Sequence, residues 1–339
     1  MSSVTVLYDD NSPSFDYTSA HSQSLWSTSN STRWVGGSST WFSEEGDESS
    51  ATGEFTFKFN GKGLKLYGSV PESVLSRSVT VQLNDQPPFR TPLRDETPFR
   101  NGPYRSWLKI DQIDGAGEHT LRIADIPPGL SVDFATVQAR PDDTVLGHTC
   151  ITDDPDPIAL YFGPWQTGHW SDRNPYEGNG MPIPYMHTTH TSLSSDAAAL
   201  IQFTGTSFSV MGFKNLTAPL ALNFTLDNGE PETVVFEPDD PSLPPSFNHI
   251  WWSRDGLSTF RDNSTEVHEL LIGYASESDQ SFSIDYMLYK PAFTLASDQP
   301  ELTWNGQKTG NANTIGIGVA LHSFGFHGRS KNSKPRSNA

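Results

Sequence analysis

Two stretches of the chain alternate apolar and polar residues and then break. In the first, Phe55, Phe57 and Phe59 alternate with Thr56 and Lys58, Asn60-Gly61 interrupts, and Leu64 and Leu66 follow. In the second, Ile201 and Phe203 precede Thr204-Gly205, with Phe208 and Val210 beyond. A period of two is that of a β-strand with one buried face. Asn-Gly supplies the positive φ angles of a tight turn. Each stretch therefore predicts a β-hairpin whose phenylalanines and leucines point inward. Phe203 stands 144 positions after Phe59, so the two stretches also predict a repeat.

Other elements recur in the same order. Tyr8-Asp9-Asp10 and Tyr17 match Thr152-Asp153-Asp154 and Tyr161, and Val81–Asp85 matches Phe224–Asn228. Trp107 aligns with Trp251, His119–Ile123 with His268–Ile272, and Val132-Asp133-Phe134 with Ile284-Asp285-Tyr286. Conserved order across so many elements means a tandem duplication. The fold expected is all-β: two tandem jelly-roll or β-sandwich domains with a flexible C-terminal tail. The boundaries expected are 1–140 and 144–293 for the two sandwiches, with 294–339 as linker and basic disordered tail.

Composition agrees with this reading. A chain of 339 residues holds two domains that each bury a core. A hydrophobic share of 35% with 27 Gly and 25 Pro suits short strands and many turns, and no stretch predicts a helix. The formal charge of −18 repels phosphate backbones, which argues against nucleic acid as a partner. A lone cysteine, Cys150, excludes an internal disulfide and is expected to be a small buried residue. The first ten residues show neither a basic segment nor an apolar run, so no signal peptide is visible. Asn30, Asn215, Asn223 and Asn263 begin glycosylation sequons. In the tail, the apolar run from Ile315 to Phe326 is too short for a bilayer span of about 20 residues. The basic residues Lys331, Lys334 and Arg336 after it have the flavour of a stop-transfer segment, and a disordered tail is the other reading.

The segments Asp153–Pro157, Tyr161–Trp165, Phe203–Val210, His268-Glu269-Leu270 and Ile284-Asp285-Tyr286 together resemble a large group of uncharacterised proteins of mushroom-forming fungi. The resemblance covers residues 4–291 and is more specific in the second copy. It implies tandem sandwiches of the galactose-binding-domain-like, jelly-roll type, often followed by a transmembrane helix and a cytoplasmic tail. That helix is missing after Lys290 here, so a membrane enters only through a C-terminal anchor that is absent or truncated. The expected location is extracellular or at the cell surface, with the cytoplasm as the alternative.

Chemistry is sparse. Gly-x-Ser-x-Gly, a phosphate loop and paired cysteines do not occur. His187 and His190, three apart on a strand, point to opposite faces and share no metal. His119 and His268 follow the apolar parity of their strands and are expected as hydrogen-bonded core residues. Asp95-Glu96, being adjacent, do not form a catalytic dyad. Asp10 and Asp154 on first strands, and Asp133 and Asp285 on last strands, are expected to meet at one end of each sandwich. Their hard oxygens would suit a structural calcium ion, and turn capping is the competing reading.

For a carbohydrate partner, aromatics on loops can stack on the apolar faces of sugar rings. The candidates are Trp34, Trp41, Trp165, Trp170, Tyr176, Tyr185 and His190, with Trp165 equally readable as core. Trp170 and Tyr176 lead, because they sit among glycines in the Gly163–Pro184 stretch. Trp107 and Trp251 are expected in the core. Three functions remain open: a non-catalytic binding or adhesion module, most naturally for carbohydrate; an enzyme acting on glycans or small hydrophobic molecules in the inter-domain groove; and a structural spacer.

Overall fold

Strand propensity and alternation produce what they forecast. The computed structural model describes residues 4–17, 25–31, 34–43, 52–93, 104–169, 184–242, 245–261 and 264–302. Among them are antiparallel strands and short 3-10 turns, with no α-helix. No helix among the described residues is long and apolar enough to cross a membrane.

Each copy is a sandwich. Its inner sheet has five strands: Phe15–Asp16, Gly53–Asn60, Glu118–Ile126, Ser78–Leu83 and Phe89–Pro92 in copy one. Copy two repeats the order with Ala159–Phe162, Ala198–Phe203, His268–Tyr274, Leu220–Leu226 and Glu232–Phe236. The inward parity holds: Phe55, Phe57, Ile201 and Val210 are all fully buried.

The opposing sheet is shared. Its eight strands run Ser246–Asp255, Gly205–Lys214, Tyr286–Pro291, Thr149–Asp153, Thr5–Asp9, Phe134–Gln138, Gly63–Ser69 and Tyr104–Ile110. The order is a palindrome of the repeat, and the two first strands meet antiparallel in the middle. There Val6 pairs with Cys150, its own counterpart 144 positions on. A residue can oppose its own equivalent only beside a twofold axis, so a pseudo-dyad passes through this pair. Val6 and Cys150 lie on the core side, in one apolar cluster that runs through both copies. Burial pushes the Cys150 thiol up to about 12, which leaves it unreactive.

Two expectations are corrected. Phe55–Tyr67 and Ile201–Met211 are not hairpins, because Gly53–Asn60 pairs with Glu118–Ile126 while Gly63–Ser69 pairs with Phe134–Gln138 and Tyr104–Ile110. Asn60-Gly61 and Thr204-Gly205 are corners where the chain crosses from one sheet to the other. Phe203 and Phe208 then face each other across the core, ring centroids 3.8 Å apart. Alternation reports a buried face and says nothing of the partner strand.

The polar stretch from Thr18 to Ser50, read as a loop, contains Trp26–Asn30 and Ser38–Phe42, which join Ser131–Val132 in a three-stranded flap. Trp165–His169, Thr188–Ser192 and Ser283–Ile284 form the second flap. Thr294, Ala296 and Ser297 hydrogen-bond to Val145, Asp143 and Pro141, and residues 303–339 lie outside the described residues.

The aligned tryptophans are equivalent in space. Trp107 Nε1 donates to the Ser131 carbonyl at 3.1 Å, and Trp251 Nε1 donates to the Ser283 carbonyl at 2.7 Å. A Cβ at Gly68 or Gly212 would stand 2.0 or 1.8 Å from those same carbonyls, so only glycine fits.

Candidate functional site

The predicted aspartates meet as expected at the backbone: Asp10 N–H donates to the Asp133 carbonyl at 2.9 Å and Asp154 N–H to the Asp285 carbonyl at 3.0 Å. Their carboxylates face the flaps. Asp10 accepts Ser38 Oγ and Thr40 Oγ1, both at 2.6 Å. Asp154 accepts Thr188 Oγ1 at 2.6 Å and pairs with His190 Nδ1. Asp133 accepts Val35 N–H at 3.4 Å, and the fully buried Asp285 accepts the backbone N–H of Tyr185. The four carboxylates therefore hold each flap strand and the turn before it onto the sandwich. Both oxygens of Asp10 accept hydroxyl hydrogens, and those of Asp154 meet Thr188 Oγ1 and His190 Nδ1, which is a capping arrangement.

His119 and His268 are buried and bonded as expected. Asn84 Nδ2 lies 3.0 Å from His119 Nδ1, and Asp227 Oδ2 lies 2.7 Å from His268 Nδ1. Asp227, Glu266 and His268 bring their ligand atoms within 4.8 Å of one another. However, His268 Nε2 donates to the Ser258 carbonyl, and copy one builds the same contact with the uncharged Asn84. The pair fixes a turn whose first residue has φ 52 in both copies, and both send a side-chain oxygen to the next strand, 2.9 Å from Thr120 N and Glu269 N.

The aromatics divide. Trp34 is buried and packs edge-on against Trp41, centroids 5.8 Å apart. Trp165 is wedged beside Phe282, its Nε1 within reach of the Phe162 and Ala198 carbonyls. His190 stacks on Tyr161 at 4.0 Å. Trp170 and Tyr176, with most of the Gly163–Pro184 stretch, lie outside the described residues. Asp95 and Glu96 do too.

Of the described candidates, Tyr185 lines a cleft between the copies. On the outer face of the eight-stranded sheet, beside the pseudo-dyad, a cleft of about 730 Å³ opens between the copies. Its floor carries Lys65, Thr136 and Gln138 from copy one and Asp153 from copy two. The Tyr185–His187 turn of copy two overhangs it, and Tyr185 packs on Tyr67, Phe134 and Tyr286 at 6.0, 6.5 and 5.9 Å. Met186 crosses to copy one, where its Sδ accepts Lys65 Nζ at 3.2 Å and faces Tyr67 OH at 3.8 Å.

Electrostatics at the cleft are unusual. Burial, then the charge of Asp154, raises the Asp153 carboxyl well above the ordinary carboxylate range, which favours its protonated form. Burial, then Lys109, lowers the Lys65 ammonium from its ordinary value.

The overhang is also strained. Met186 and His187 have φ 49 and 66, left-handed values that cost a side-chain-bearing residue about 1–2 kcal/mol each. The equivalent turn of copy one uses Gly36 and Gly37 at φ 70 and 88, free of that cost. Sequence reasoning missed Lys65, Gln138, Asp153 and Met186. One signal was available: aligning Ser38 with Thr188 sets Met186-His187 against Gly36-Gly37.

No protein-family model matches the chain, and no curated protein does. Among solved structures, it is similar to the xanthan lyase of Paenibacillus, with TM-score 0.27 and 12% identity over 84% of this chain and 26% of that one. The chain spans about a quarter of the lyase's length. It is also similar to a family 35 carbohydrate binding module of Clostridium thermocellum, TM-score 0.28 and 17% identity over 39% of this chain and 98% of that one. A tandem CBM22-1–CBM22-2 domain of Paenibacillus barcinonensis Xyn10C gives TM-score 0.28 and 7% identity over 81% of this chain and 96% of that one.

Proposed function

We propose that this protein is a non-catalytic glycan-binding module that takes its ligand in the cleft between the two copies, outside the cell or at its surface. The observation that carries this reading is the composition of the cleft walls. A pyranose presents hydroxyls around its rim and C–H groups on its faces. The floor offers an ammonium, an amide, a hydroxyl and a carboxyl, and the overhang offers the ring of Tyr185 and the thioether of Met186. Sequons begin at the exposed Asn30 and Asn215, which suits a secreted chain.

The test is a glycan array probed with residues 1–302, with and without calcium, beside Lys65→Ala and Gln138→Leu. Retention of a sugar by the parent and its loss in both variants is the expected result. An array on which the parent retains nothing would remove the reading.

A second reading has one observation of its own. Two carboxylates, Asp153 and Asp156, line the cleft, and burial raises both, the direction a glycosidase's general acid needs. Release of reducing ends by the parent, abolished in Asp153→Asn, would favour an enzyme over a binding module. Should neither binding nor turnover be found, the rigid pair of sandwiches remains as a spacer.

A further inference from the structure

We infer that the Tyr185–His187 turn is the ligand-selecting wall of the cleft, and that Met186 is its specificity-determining residue, reading the apolar face of a sugar ring. This rests on the glycan-binding reading of the cleft and adds which residue does the selecting.

Three independent facts converge on Met186. Its backbone sits at φ 49 and its neighbour His187 at φ 66, while copy one meets the same turn with two glycines. A turn needed only to cover the sheet would keep glycine, because glycine adopts these angles without strain. Burial does not compensate Met186 either, since 43% of it is exposed. Finally, its side chain reaches over the pseudo-dyad to Lys65 and Tyr67 of the other copy, directly above the cleft floor.

The Lys65 contact suggests how the ligand is read. A thioether is a weak acceptor for an ammonium. A hydroxyl or ring oxygen of a ligand is a better one, so Lys65 can exchange sulfur for sugar oxygen as the ring enters. The freed, polarizable Met186 side chain then lies against the C–H face beside Tyr185. In copy one the equivalent place cannot act this way. Gly36 has no side chain, and an added Cβ would stand 2.5 Å from the Asp9 carboxylate. The duplicated turn has thus kept its position and changed its task.

The experiment compares the parent with Met186→Gly and Met186→Leu, measuring affinity for the sugar retained on the array and thermal unfolding without ligand. The expected result for Met186→Gly is affinity reduced by about tenfold or more, the scale of losing one apolar contact surface, with Tm unchanged or raised. Met186→Leu keeps the bulk and should stay within a few-fold of the parent. Equal affinity in the parent and Met186→Gly overturns this inference alone, and so does a clear fall in Tm, which would make Met186 a packing buttress. A parent that retains no sugar overturns the glycan reading and this inference together.

Discussion

Asp9 and Asp153 stand one residue before the two latch aspartates, half-buried beside a like charge. Burial and that neighbour push Asp9 up to about 7 and Asp153 up to about 8. A folded state that holds a proton more tightly than the unfolded chain is stabilised where the proton is bound. That contribution is complete below the ordinary carboxylate value and is lost as pH rises through about 7 and about 8. His268, raised by its hydrogen bond to Asp227, has the same sign. His249, pushed down to about 4 by burial, acts oppositely, but only below its ordinary value of 6.5. Tm should therefore fall between pH 6.5 and 8, and Asp9→Asn and Asp153→Asn should each flatten that fall. Melting curves at closely spaced pH check it; an unchanged slope in both variants would contradict the burial argument.

The flap strands depend on buried acceptors more than on their own sequence. Trp26–Asn30 and Thr188–Ser192 are polar along most of their length; Trp26 alone anchors the first in the core, against Phe42 and Phe55, and the second has no apolar side chain. Fully buried Asp154 holds the start of Thr188–Ser192 through Thr188 and His190, while Thr191 and Ser192 bond to Ser283 and Tyr274 at its end. Asp154→Ala removes the partner of the half-buried His190 ring and leaves the Thr188 hydroxyl only its longer contact with Asp153, at a cost of about 1–3 kcal/mol. Hydrogen exchange followed by mass spectrometry should show faster exchange across 188–192, while 38–42, latched by Asp10, keeps its protection. Equal protection of both strands in the variant would mean that strand pairing alone holds the flap.

The two copies share one sheet and one apolar cluster, so neither has a surface of its own to unfold behind. Calorimetry of residues 1–302 should give one transition, with van't Hoff and calorimetric enthalpies in agreement. Two resolved transitions would show that the central pairing of Thr5–Asp9 with Thr149–Asp153 contributes little cooperativity.

Strand character, the inward phenylalanines, the duplication and the buried histidines were all readable along the chain. Each depends on contacts within a strand or on recurrence, and alternation reports both directly. The meeting of Asp10 with Asp133 and of Asp154 with Asp285 followed from knowing which strands begin and end a jelly roll. Partner choice was not readable. Phe55–Phe59 and Leu64–Leu66 bury the same faces whether they form a hairpin or a corner, so the side-chain pattern cannot separate the two. The hydroxyls that Asp10 and Asp154 accept were equally hidden, since Ser38, Thr40 and Thr188 reach them only through the folding of the flaps. The cleft is the strongest case. Lys65, Gln138, Asp153 and Met186 come from four segments and two copies, joined by a pseudo-dyad that no local pattern encodes. Tertiary structure alone decided that site, because it exists only where two copies of one strand lie side by side.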